Sequence, residues 1–317
     1  MLESLGFRFE DIAVVLGEQR IDVASLFPES SALVEKTGIP VVWESSRSAY
    51  AMALEASASV LSRRPVVSDS QIELILYVTQ SPMHELPSHA CMLQSDLGLE
   101  RELLALDINQ GCSGFVQALV LALNTLSEAG SALLVTTDTY RRKLDANDRS
   151  TSAIFSDGAA ATLITRRKPS HRIVSQLHFT DGSGAKHLHH FGRESGDRLV
   201  MNGREVFLWT HRVVLPQVLA AVQTLPAQKS GAALAFLHQA SSLVLNNLSP
   251  GLTSSGFVVH RNLQSVGNTV SSSIPILMSE YLSELPGKFL VLAGFGVGLS
   301  ASAVAIAPMA EAGELTV

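Results

Sequence analysis

Short unbroken apolar runs punctuate the chain at Ile72–Thr79, Leu103–Ile108, Ala132–Thr137, Ala159–Thr165, Ala233–Leu237 and Phe289–Ala293. Runs of this length without a polar face predict strands covered on both sides. Between them lie segments with helical spacing, such as Phe115–Leu126 and Val213–Leu225. The alternation predicts an α/β protein with largely parallel sheets. One pattern occurs twice with little identity: a strand runs into a polar residue that opens a helix, at Ile108-Asn109-Gln110-Gly111-Cys112 and at Phe236-Leu237-His238-Gln239. The chain therefore reads as two related halves, residues 1–168 and 169–317, joined at a charged connector over residues 166–172. The segment His178–Arg198, rich in Gly, His and Asp, is predicted to be a surface loop.

Composition fits that picture. Of 317 residues 46% are hydrophobic and 16% charged, ample material for large sheets covered on both faces. A net charge of −6 gives no basic field, so nucleic acid is not expected as a partner, nor is an anionic membrane surface. The two cysteines, Cys91 and Cys112, exclude a disulfide framework and fit a reducing cytoplasm. The N-terminus carries no basic-then-apolar signal pattern, and no stretch reaches the roughly 18 apolar residues of a membrane span. Even Phe115–Leu126 is broken by Gln117 and Asn124. The expected location is cytoplasmic.

Three residues carry candidate chemistry. Cys112 follows a buried strand and Gly111 and precedes an apolar helix, which places its sulfur where helix N–H groups and dipole favour the thiolate. Read alone, it is equally a buried cysteine packing as a small hydrophobe. Cys91 lacks that setting and reads as structural. His238 ends a strand, where ligands of open α/β sheets sit, but a lone histidine there also serves as a satisfied core group. Asn268, in a Gly-Asn turn before a helix, has an ordinary backbone reading as well. The turn Gly294-Phe295-Gly296-Val297-Gly298 lacks the spacing of a nucleotide fingerprint and reads as a place of close backbone approach. His187, His189 and His190 read as a solvated loop rather than a zinc site, since no partner spacing accompanies them.

Taken together the segments resemble the β-ketoacyl-acyl-carrier-protein synthase III family of the thiolase superfamily. They are KTGI (Lys36–Ile39), LPSHACMLQSDLG (Leu86–Gly98), DINQGCSGFVQAL (Asp107–Leu119), FSDGAAA (Phe155–Ala161), NGREVF (Asn202–Phe207), HQA (His238–Ala240), GNT (Gly267–Thr269) and GFGVGLS (Gly294–Ser300), in family order over nearly the whole chain. The resemblance implies a thiolase fold, two related halves in a five-layered αβαβα arrangement. It implies an acyltransferase in which Cys112 takes an acyl group from coenzyme A or an acyl carrier protein. His238 and Asn268 then activate a malonyl thioester for decarboxylative condensation, in fatty-acid or specialised biosynthesis, with no metal or redox cofactor. Backbone N–H groups of Cys112 and Val297 form the expected oxyanion hole. The family forms homodimers, so Leu86 is expected to close the partner subunit's acyl tunnel.

The chain also departs from the family pattern. Ser241 and Leu243 stand where asparagine and arginine are usual, and Pro40 and Leu208 replace basic residues. Residues 244–259 contain no Lys or Arg. These changes imply altered docking of the acyl carrier. Trp43 reads either as an adenine stacker or as a partly buried aromatic. The N-terminus is expected to lack much of the family's first strand. Two other readings stay open: an enzyme of the same fold that passes the acyl group to a hydroxyl or amine, and a non-catalytic partner subunit.

Overall fold

The structure is a computed structural model that describes residues 6–27, 30–63, 71–192, 196–226 and 232–309. Its strands are β1 (Gly6–Leu16), β2 (Gln19–Asp22), β3 (Val41–Glu44), β4 (Ile72–Val78), β5 (Leu104–Ile108), β6 (Ser131–Asp138) and β7 (Gly158–Thr165). The second series is β8 (His171–Thr180), β9 (Leu188–His189), β10 (Val200–Met201), β11 (Ala233–Leu237), β12 (Phe257–Val259), β13 (Phe289–Gly296) and β14 (Ser300–Pro308). The helices are α1 (Ser30–Thr37), α2 (Ala49–Ser62), α3 (His89–Asp96), α4 (Gly114–Thr125) and α5 (Arg149–Ser152). They continue as α6 (Gly203–Trp209), α7 (Leu215–Gln223), α8 (Ser242–Ser254), α9 (Leu263–Val266) and α10 (Ser273–Ser279). Among the described residues no helix is long and apolar enough to cross a membrane.

Ten strands join in the order β12-β11-β13-β14-β8-β1-β7-β6-β4-β5. Each five-strand half has the same spatial order, third-second-fourth-fifth-first in chain sequence, and the halves meet where Gly6 and Phe7 pair with Arg172 and His171. Side-chain alternation sorts each strand's residues into layers. Leu74, Leu76 and Val78 of β4 and Leu234 and Phe236 of β11 point into one core, which also holds Phe115, Leu119 and Leu123 of α4 and Ile274 and Leu277 of α10. The opposite face of β4 presents Ile75 and Tyr77 to α2 and α3. The opposite face of β11 presents Ala233, Ala235 and Leu237 to α7 and α8. The result is helix, sheet, helix, sheet, helix, and it explains why α4 is apolar over most of its circumference.

The structure corrects three sequence expectations. The sheets are not largely parallel: the outer pairs β12/β11/β13 and β6/β4/β5 are, but every pairing from β13 through β6 is antiparallel. Apolar runs report burial by the layers above and below, and burial is indifferent to strand direction. The first strand is not curtailed. β1 is eleven residues long and lies at the centre, with Glu10 and Asp11 at a register shift that breaks its apolar pattern. Nor is residue 178 onward a plain loop. β8 runs to Thr180 against β14, and β9 pairs with β10, with Leu188 of β9 and Leu199 just before β10 both buried.

Candidate active site

Cys112 lies in the turn between β5 and α4, His238 directly after β11, and Asn268 in the turn between α9 and α10. Cys112 and Asn268 thus precede the two helices of the central layer. His238 follows the second strand of its half and Cys112 the third of its own, so the twice-seen sequence pattern does not mark equivalent positions. All three nonetheless line one cavity of about 370 Å³. The rest of its wall is mostly apolar, including Leu33, Ile154, Phe155, Val206, Phe207 and Phe295. Lys36 and Arg204 stand exposed at its mouth, and among the described residues no carboxylate lines it.

Cys112 is buried, and the glycine-rich turn presses on it. A Cβ at Gly294 would come within 2.4 Å of the Cys112 carbonyl oxygen, and one at Gly296 within 2.9 Å of its sulfur. The close approach expected of this turn is therefore present. The helix setting does not win the electrostatic contest, however. Burial, with the nearby Asp138 carboxylate adding to it, pushes the Cys112 thiol up to about 12. The N–H groups of Cys112 and Val297 point at the sulfur and oppose that shift without overcoming it. Ser300 Oγ donates to the Val297 carbonyl at 2.9 Å and lies 2.7 Å from Ser113 Oγ, tying the turn to the start of α4.

His238 is 2% exposed, and burial lowers its pKa to about 3, so the ring is neutral at any ordinary pH. Its Nδ1 lies 2.6 Å from Ser273 Oγ, and the Phe295 ring stands edge-on to it with centroids 5.5 Å apart. Asn268 is buried, and its Oδ1 accepts the Val270 N–H at 2.9 Å, which leaves the amide N–H₂ for the cavity. Val270 has φ +54°, a left-handed conformation that a β-branched residue rarely adopts, held here inside the turn that carries Asn268.

Sequence reasoning missed Asp138 and Tyr140. Asp138 ends β6, fully buried, and accepts from the Gln80 N–H at 2.8 Å and from Ser271 Oγ at 2.5 Å; burial raises its carboxyl to about 6. Tyr140 lines the cavity and donates to Gln80 Oε1 at 2.6 Å. The available signal was position: both residues lie at the end of a buried strand, the same rule that singled out His238.

Other sequence candidates lie elsewhere. Leu86 is 85% exposed and is not part of the cavity wall of its own subunit. Cys91 is exposed on α3, not packed as a structural cysteine would be. Trp43 is partly buried on β3, and its Nε1 donates to the Ser265 carbonyl at 2.8 Å. His189 stacks on Phe191 with centroids 3.9 Å apart, and His190 lies 3.5 Å from Asp197. Among the described residues no group of three His, Cys, Asp or Glu side chains is arranged to hold a metal.

The arrangement offers a buried sulfur with two backbone donors and, across the same cavity, a neutral imidazole beside a carboxamide. Comparison with known proteins gives the family and the fold. The family profile of 3-oxoacyl-(acyl-carrier-protein) synthase III matches residues 106–191, and that of its C-terminal part matches residues 227–307. The β-ketoacyl-(acyl-carrier-protein) synthase III 1 of Bacillus cereus is 31% identical over 260 residues, covering 80% of this chain and 82% of its own. A solved 3-oxoacyl-(acyl-carrier-protein) synthase III, 31% identical, superposes with a TM-score of 0.83 over 95% of this chain and 99% of its own. The corresponding enzyme of Aquifex aeolicus VF5, 25% identical, gives 0.84 over 95% and 100%.

Proposed function

Since the chain belongs to the 3-oxoacyl-(acyl-carrier-protein) synthase III family of condensing acyltransferases, we propose that Cys112 is its nucleophile and that His238 and Asn268 activate the extender. The observation that carries this is their convergence, from three separate elements, on one cavity.

Cys112 attacks the carbonyl of an acyl thioester, and the N–H groups of Cys112 and Val297 hold the oxyanion that forms. Because the free thiol holds its proton tightly, the proton passes to the departing carrier thiolate, which keeps the exchange neutral. A malonyl thioester then binds with its thioester oxygen between the His238 ring and the Asn268 amide. Neutral donors suit this task, since charge develops on that oxygen only as CO₂ leaves. Each donor is worth about 3 kcal/mol to the enolate-like transition state. The enolate carbon attacks the acyl group on Cys112, forming the new C–C bond and breaking the bond to sulfur; the β-ketoacyl thioester leaves, and the Cys112 thiolate takes a proton from water.

The carrier is a coenzyme A or acyl-carrier-protein thioester, and the chemistry needs no metal or redox group. Lys36 and Arg204 support an anionic carrier at the mouth, partly offsetting the basic residues that Leu243, Pro40 and Leu208 replace. A homodimer is supported by edge strand β5, where Leu104 and Leu106 stand 45% and 39% exposed. Asp107 of that strand caps α3 through the His89 and Ala90 N–H groups, which places the Leu86 loop beside the same edge. Leu86 would then enter the partner's acyl tunnel. We divide the chain into its two halves between residues 168 and 169, in the turn between β7 and β8.

Intact-mass measurement after incubation with an acyl-thioester panel tests the nucleophile. One acyl adduct, absent from Cys112→Ala, is expected; an adduct that survives the substitution would refute the assignment.

A further inference from the structure

We propose that Ser273 is a positioning residue that locks His238 in the tautomer protonated on Nε2, so that one short turn, residues 268–273, orients both extender-activating donors. The inference rests on the assignment of His238 above and adds how its proton is placed.

The tautomer follows from hydrogen-bond accounting. His238 and Ser273 are each 2% exposed, and the 2.6 Å contact between Nδ1 and Ser273 Oγ is the sole hydrogen bond of that hydroxyl among the described residues. If Nδ1 carried the proton and donated to Ser273 Oγ, the hydroxyl hydrogen would be buried without an acceptor. If Ser273 donates to Nδ1, both atoms of the contact are satisfied. The imidazole proton then sits on Nε2, the nitrogen left for the cavity that His238 lines. Burial keeps the ring neutral, so a second proton does not blur the choice.

The same turn settles the neighbouring donor. The Val270 N–H takes Asn268 Oδ1 at 2.9 Å, which fixes the carboxamide with nitrogen outward. Ser271, between these two locks, anchors the turn to the buried Asp138 through its hydroxyl at 2.5 Å. The sequence Asn268-Thr269-Val270-Ser271-Ser272-Ser273 thus contains one donor, the lock on that donor, a tether and the lock on the second donor.

The tautomer is read directly by ¹⁵N NMR of the full-length protein labelled at histidine, with the His238 signals identified by their loss in His238→Gln. A pyrrole-type Nε2 and a pyridine-type Nδ1 are expected; a protonated Nδ1 overturns the proposal. Ser273→Ala is expected to lower malonyl decarboxylation about tenfold, with Cys112 acylation kept within about twofold. Unchanged decarboxylation, or an equal loss in both half-reactions, also overturns it. If the wild-type protein neither acylates nor decarboxylates, the functional reading fails instead, and the spectrum still decides the tautomer.

Discussion

Gly296 lies so near Cys112 that a Cβ built on it would sit 2.9 Å from the sulfur and 3.0 Å from the cysteine Cβ. Both atoms belong to a buried side chain packed on its neighbours, so neither can step aside cheaply. Gly296→Ala is expected to slow Cys112 acylation by about 100-fold or more, through displaced sulfur and displaced Val297 N–H. Time-resolved intact mass measures it. Acylation at the wild-type rate would show that the turn has slack which the packing does not suggest.

The high pKa of the thiol makes a distinct prediction about pH. With the Cys112 thiol near 12, the thiolate fraction keeps rising throughout the accessible range. Alkylation by a small neutral reagent should therefore accelerate about tenfold per pH unit from 7 to 10, without levelling. A plateau near pH 8 would mean that the backbone donors and helix outweigh burial.

His238 and Asn268 should matter to one half-reaction only. His238→Ala and Asn268→Ala are each expected to cut malonyl decarboxylation by about 10²–10³, while leaving Cys112 acylation nearly intact. Separate assays of adduct formation and CO₂ release read the two halves. Loss of both halves together would place these residues in the nucleophile's activation instead.

At the sheet edge, Leu104→Lys with Leu106→Lys sets like charges against each other across a twofold interface. Sedimentation velocity should show a dimer for the wild-type chain and a monomer for the double variant. A wild-type monomer would leave Leu86 without the partner tunnel assigned to it.

Much of the candidate site was legible in the sequence because motifs in family order singled out Cys112, His238 and Asn268, and because the apolar runs around them mark their elements. Ala233–Leu237 is a strand with the bounds its pattern suggested, and His238 follows it. Phe115–Leu126 differs from α4 by a single residue at each end. What stayed hidden has identifiable causes. β1 was obscured by Glu10 and Asp11, which tolerate their place because Asp11 meets Arg63 at a register shift. β14 was concealed by its own composition, SASAVAIAP, whose small residues look unlike a strand until packed against β8 and β13. The thiol's pKa was misjudged because a helix terminus is visible in sequence, whereas desolvation and a carboxylate 26 positions away, Asp138, are properties of the fold. The lock of Ser273 on His238 likewise joins residues 35 positions apart and exists only once β11 and α10 meet.

The central claim is that one cavity performs both acyl loading and decarboxylative condensation. It is tested most directly by giving the protein, once acylated on Cys112, a malonyl thioester and measuring CO₂ together with the mass of the product. Release of CO₂ in step with loss of the Cys112 adduct and appearance of a β-ketoacyl thioester is the predicted result. Loss of the adduct to a hydroxyl or amine acceptor without CO₂, or an adduct inert to every malonyl thioester, would contradict it.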